Sequence, residues 1–326
     1  MFSLSNMLIP AILFFALGFM AQLVRSDLKF PADLAKALSI YLLVAIGLHG
    51  GMELAKIDPV DAIGAIVAAL GLGFGLPIVA YLILSHIVRI DRLNAAAIAA
   101  HYGSVSAGTF VTAIAFLDSL KVPYESHPVI MLAIMESPAI IIGLALANLA
   151  RKEDGNGHGH QKRVSRELVH DAFTNGSVVL LMGSMLIGAI AQPAGLNKIM
   201  PFYEMMFMGV LSLFLLDMGM EASRRIGDFK KVGPSLLVFG IAMPLIGGMA
   251  GLAVGHWLLG FGVGGTLLVA VLGASASYIA VPPAMRLAIP EASPALFLTL
   301  SLGVTFPFNI IVGIPLYFSA AQWLAH

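Results

Sequence analysis

The 326-residue chain is 59% hydrophobic and 11% charged, against roughly 25% charged in an average soluble domain. Its mean hydropathy of +0.94 excludes a soluble enzyme, whose surface must be polar throughout. Eighteen Lys+Arg balance eighteen Asp+Glu, so no net basic field exists to hold nucleic acid. With no cysteine at all, disulfides, thiolate metal sites and cysteine nucleophiles drop out.

A helix needs about 20 apolar residues to cross a bilayer. Runs of that kind, bounded by charges, prolines or glycine-rich turns, predict ten spans, at 7–24, 31–54, 60–88, 93–117, 126–150, 172–192, 201–223, 232–259, 264–287 and 293–323. No Lys or Arg precedes Arg25, so the first run lacks the basic region of a signal peptide and reads as an uncleaved span. Cytoplasmic loops carry the excess of Lys and Arg. Fifteen of the eighteen fall in the loops after spans 1, 3, 5, 7 and 9 or at the span ends that face them, and only Lys56, Lys121 and Lys198 lie on the other side. The partition predicts a multi-pass protein of the inner (plasma) membrane, surrounded by membrane lipid, with both termini outside.

The polar stretch 151–171 reads as a cytoplasmic linker between two five-span halves, 1–150 and 172–326. Gly51-Met52-Glu53 recurs as Gly219-Met220-Glu221, an offset of 168 that His49 and Asp217 share. Pro123-Tyr124-Glu125-Ser126-His127-Pro128 recurs as Pro290-Glu291-Ala292-Ser293-Pro294, close to the same offset. Because five is odd, the second copy enters the membrane the other way up. The expected fold is therefore all-α, with ten transmembrane helices in a 5+5 inverted repeat, whose binding site belongs near the midplane at the repeat interface.

Spans 4 and 9 are interrupted at matching places, by Gly103-Ser104-Val105-Ser106-Ala107-Gly108-Thr109 and by Gly273-Ala274-Ser275-Ala276-Ser277-Tyr278. Gly is a poor helix former and Ser competes for backbone hydrogen bonds, so both spans are expected to unwind there. The following half-helix then offers free N–H groups and a positive dipole end to an anion, while the carbonyls left behind suit Na+. The alternative is that these small residues only let helices pack closely. Neither break contains Lys or Arg, which points to a small, singly charged anion.

Among the few ionisable groups within spans, Glu136 beside Ser137-Pro138 in span 5 leads, since a carboxylate at that depth is functional by default. Its counterpart in span 10 is Thr305-Phe306-Pro307-Phe308-Asn309. Oxygen ligands around a carboxylate suit a hard cation; the alternative is a protonated, hydrogen-bonded carboxyl. The His49/Glu53 and Asp217/Glu221 pairs read as interfacial, His101 and Tyr102 as core or cavity residues, and His158 and His160 as solvated linker. With no His-Glu metal motif or nucleophile–base pair within the spans, the chain is not expected to be an enzyme.

At Gly50-Gly51-Met52, the stretch GSVSAGTF at 103–110, Glu136-Ser137-Pro138, and GASASYIAVPPAMR at 273–286, the sequence resembles the sodium-dependent bicarbonate transporter family over nearly its whole length. The resemblance implies a core domain of spans 3–5 and 8–10 moving against a gate domain of spans 1, 2, 6 and 7, and a homotrimer. It implies that Ser104, Ser106, Gly108, Thr109, Ser275, Ser277 and Tyr278 face bicarbonate. Na+, the co-transported ion, would sit at Glu136, Ser137, Thr305 and Asn309, Glu136 standing where the family has an acidic sodium ligand. A PII-like regulatory protein on the cytoplasmic face is a further implied partner. The function expected is Na+-coupled symport of a small monoanion, bicarbonate first. A Na+/organic anion symporter of the bile-acid type and a non-transporting membrane sensor are the alternatives.

Overall fold

The structure, a computed structural model, describes residues 10–55, 59–153 and 176–325. The expectations for the two chain ends, for Lys56, for most of the linker with His158 and His160, and for residues 172–175 fall outside these. Apolar sequence of this length folds into helices because only a helix satisfies all its own backbone groups in lipid, and every regular element among the described residues is helical.

In chain order the helices are α1 (Pro10–Leu23), α2 (Ala32–Leu54), α3 (Pro59–Leu82), α4 (Arg92–Gly103), α5 (Ala107–Ser119) and α6 (His127–Glu153). After the linker follow α7 (Gly176–Ile190), α8 (Pro193–Met205), α9 (Phe207–Arg224), α10 (Pro234–Ala253), α11 (Val263–Ala274) and α12 (Val281–Ala288). The last, α13 (Pro294–Leu324), is one long helix carrying wide π-helical turns at 299–305 and 309–313. Five described helices are long and apolar enough to cross a bilayer, and α8 and α9, bent by 44° at their junction, make a sixth candidate span. The 201–223 run is thus divided at Met206, a residue that interrupts the helix without glycine or proline.

Packing sorts these helices into two bodies, and neither is one half of the sequence. In the first, α1 lies along α9 and α2 lies along α7. Both pairs come within backbone contact. A Cβ on Gly219 would run into the Phe15 carbonyl and one on Gly18 into the Leu216 carbonyl; equally, Gly51 is closed by the Met185 carbonyl and Gly188 by the Leu48 carbonyl. Gly51 and Gly219 are the two glycines of the repeated Gly-Met-Glu motif, so the motif recurs because the same close approach is made twice. The Tyr41 hydroxyl donates to the Phe202 carbonyl at 2.7 Å and fastens α8 to this body.

The second body contains α3 packed on α4 and α6, with α10 and α13 packed on α11. Its loops are tied at two ends. At one, Arg151 grips Glu291 (2.8 Å) and Asn94 accepts from the Ser293 amide (2.7 Å). At the other, Glu125 accepts from the Gly262 amide at 2.8 Å and Gly264 lies against the Pro123 backbone. The two bodies touch each other more thinly than either is packed within itself.

Candidate functional site

The chain leaves the helix at Ser104 (φ −92°, ψ 173°) and resumes it after Ser106 (φ −106°, ψ 106°). In the second half it leaves at Ser275 (φ −86°, ψ 163°) and resumes at Val281. The two extended segments cross. The Ser106 amide donates to Ser275 Oγ at 3.1 Å, and the Ser277 amide donates to the His101 carbonyl at 2.8 Å. Non-helical backbone at such depth survives only when buried in protein or lining a cavity, and Ser104, Ser106, Ser275 and Ser277 are all at most 3% exposed.

Ser106 is the N-cap of α5: its Oγ accepts from the Thr109 amide (3.2 Å) and the Thr109 hydroxyl (2.9 Å). The Phe110 amide bonds the Ser106 carbonyl, leaving the Ala107 and Gly108 amides outside the helix's own ladder. Tyr278 reaches over this end, and its buried hydroxyl has no hydrogen-bond partner among the described residues. A Cβ on Gly108 would lie 2.5 Å from Tyr278 Oη and 2.9 Å from Phe214 of α9, so only glycine permits this approach. The other half-helix is not equivalent. Pro282 and Pro283 in the first turn of α12 carry no N–H, and the Val281 amide is already directed at Ser277 Oγ (3.4 Å). The N-terminus of α5 presents donors for an anion; the start of α12 presents oxygen.

Beside the crossing is a cavity of about 10 Å³, lined by Ser106, Ser277 and Tyr278 from the breaks, Glu136 from α6, and Ser39 and Leu43 from α2. A volume of this order holds one water-sized species. Glu136 is 7% exposed, and its Oε2 has no hydrogen-bond partner among the described residues. Ser137 is within α6, but its side chain lies outside the description.

Thr305 and Asn309 do not line this cavity; their side chains are engaged elsewhere. Pro244, inside α10, cannot bond the Gly240 carbonyl one turn earlier, and Thr305 Oγ1 donates to that carbonyl at 2.7 Å while standing 2.7 Å from the Tyr102 hydroxyl. Asn309 Nδ2 caps the Ala274 carbonyl, the last of α11, at 2.8 Å. His101 is fully buried, donates through Nδ1 to the Ala97 carbonyl (2.7 Å) and stacks on Phe297. It braces α4 from outside the cavity.

A larger cavity of about 300 Å³ lies between the bodies, among Ile46, His49 and Gly50 of α2, Ile114 and Asp118 of α5, and Tyr203 and Glu204 of α8. Tyr124 hydrogen-bonds Asp118 at its edge. Here His49 faces Asp118, and in the other half Glu221 pairs with Arg224 (3.1 Å) and Arg225 (2.9 Å). Sequence reasoning missed Ser39, Asp118, Tyr124 and Phe214. The one signal for Ser39 was spacing: Ser39, Leu43, Ile46 and Gly50 recur at helical intervals.

Compared with known families, residues 10–322 match the model of the Na+-dependent bicarbonate transporter superfamily. No curated protein matches the chain. The match spans nearly the whole sequence, and the chain belongs to that superfamily: a multi-pass membrane protein of a transporter family for which sodium and bicarbonate are the ions.

Proposed function

We propose that this member of the Na+-dependent bicarbonate transporter superfamily carries a small monoanion, bicarbonate first, in symport with Na+ by alternating access. The observation that bears most on this is the crossing of two unwound segments, where the start of α5 and the buried Glu136 carboxylate line one cavity. Ser104, Ser106, Gly108, Thr109, Ser275, Ser277 and Tyr278 form the anion end, where charge-assisted hydrogen bonds stabilise an anion by about 1.5–3 kcal/mol each. Glu136 with Ser137 marks the sodium end, and Thr305 and Asn309 brace the broken helices around it.

The body containing the breaks is the moving core, and the glycine-welded pairs α1/α9 and α2/α7 are the gate. Thin packing between two rigid bodies is what a sliding or rocking motion requires. Ten spans in a 5+5 inverted repeat, both termini outside, remain our reading of topology. It is supported by the doubly made glycine contact at the 168-residue offset and by loop ties that gather residues 94, 151, 291 and 293 at one end and 123, 125, 262 and 264 at the other. A homotrimer in the inner (plasma) membrane, with a PII-like protein docking on its cytoplasmic face, completes the proposal.

Purified protein in proteoliposomes is expected to take up labelled bicarbonate only under an inward Na+ gradient. Uptake unchanged when K+ replaces Na+ would refute the coupling. Stronger uptake of pyruvate-like carboxylates than of bicarbonate would reassign the substrate to organic anions.

A further inference from the structure

The body read as the gate contributes a polar side chain to the small cavity, at a position outside every sequence motif described above. Ser39 is half-buried on α2, one turn from Leu43, and both line the cavity with Glu136 and Ser277 of the core. The volume of about 10 Å³ admits one water-sized species, which suits a bare monovalent cation and is too small for a planar anion of four heavy atoms. Its donors are oxygens, the ligand type hard cations take, and one of them is the unpartnered Oε2 of the buried Glu136. Val105, Ser106 and Ala107, the extended segment and the first residue of α5, complete the lining.

Resting on the symport reading above, we propose that this cavity is the sodium site and that Ser39 is its gate-side ligand, completing a set with Glu136 and with Ser277, the residue that the sodium and anion ends share. The bound ion then bridges the two bodies. Sodium favours the alignment that brings Ser39 level with Glu136, and an isolated core does not hold the ion as tightly. Along α2 the next core-facing positions toward the larger cavity are Leu43 and Ile46. Their apolar side chains offer no ligand, so movement of the core along α2 breaks the bridge.

The test is Na+ binding by the purified, detergent-solubilised full chain without bicarbonate, read as the rise in melting temperature when NaCl replaces choline chloride. Ser39→Ala is expected to raise the half-saturating Na+ concentration about tenfold, and Ser39→Thr, which keeps the hydroxyl, to restore it. A hydroxyl acting only in packing would not give that rescue. As a second measurement, Leu43→Cys in this cysteine-free chain places a thiol on the cavity, and Na+ is expected to slow its alkylation. If Ser39→Ala binds Na+ as wild type does, or Na+ leaves alkylation of Cys at position 43 unchanged, the inference is overturned while Na+-dependent uptake by the wild type keeps the symport reading. Loss of Na+ dependence from wild-type uptake itself would instead remove the reading on which the inference rests.

Discussion

Gly108 offers the sharpest test of the anion end. In Gly108→Ala the new methyl would lie 2.5 Å from Tyr278 Oη and 2.9 Å from Phe214 Cε1, where ordinary contact is about 3.5 Å. The tyrosine hydroxyl must withdraw by about 1 Å, enough to lose a hydrogen bond. If that hydroxyl helps to hold the anion, the loss of one charge-assisted bond costs about 1.5–3 kcal/mol, or about 10- to 150-fold in apparent affinity. Alanine is the better helix former, so the fold itself is not weakened and the melting temperature is expected to hold or rise. The concentration dependence of labelled bicarbonate uptake at saturating Na+ measures the effect. Tyr278→Phe should give a similar loss. The double variant should be little worse than Tyr278→Phe alone, because the methyl then has no hydroxyl to displace, and the cycle should show coupling of about 1.5–3 kcal/mol. If the two losses multiply, the hydroxyl and the amide end of α5 do not act on the same ion, and the site as drawn is wrong.

Gly219→Ala is expected to separate α1 from α9 at Phe15, destabilising the protein by about 1–3 kcal/mol; Gly209→Ala, with open space around it, is the control in the same melting experiment. Thr305→Val removes the donor to the Gly240 carbonyl and the neighbour of the Tyr102 hydroxyl, an expected loss of about 1–3 kcal/mol in stability with the Na+ dependence of uptake kept. Glu136→Gln should do the reverse, raising the Na+ requirement with little change in melting temperature, and equal behaviour of the two variants would dissolve the distinction. Burial works to raise the Glu291 carboxyl, but the Arg151 guanidinium beside it holds it below the usual carboxylate range. A depressed value means the pair contributes stability above the unfolded carboxylate value and loses it as pH falls through the lowered one. Melting curves of wild type and Glu291→Gln should therefore differ near neutral pH and converge in acid; a constant difference would contradict this.

Local propensity and hydropathy made much of this protein readable from its residues. The helices follow from apolar run length, and the interruptions near residues 104–106 and 275–280 from Gly and Ser clusters that a helix tolerates poorly. Functional assignments for these residues are a different matter, since they depend on partners. Thr305 and Asn309 look like cation ligands beside a proline in their own helix. What occupies them is a carbonyl freed by Pro244 in α10 and the final carbonyl of α11, neither of which is near them in sequence.

The recurrence of Gly-Met-Glu was visible as an offset, but its cause, two helices from opposite halves meeting at backbone distance, exists only once the chain is folded. Ser39 carries no local signal beyond its spacing from Leu43, being one serine in an apolar helix. By itself the sequence determined a membrane-embedded helical chain with its few charges sorted by loop and its helices interrupted at two small-residue clusters, because those properties are local sums of transfer energy and backbone preference. Only tertiary structure decided which oxygens share a cavity with Glu136, because such meetings are set by packing between helices distant in the chain.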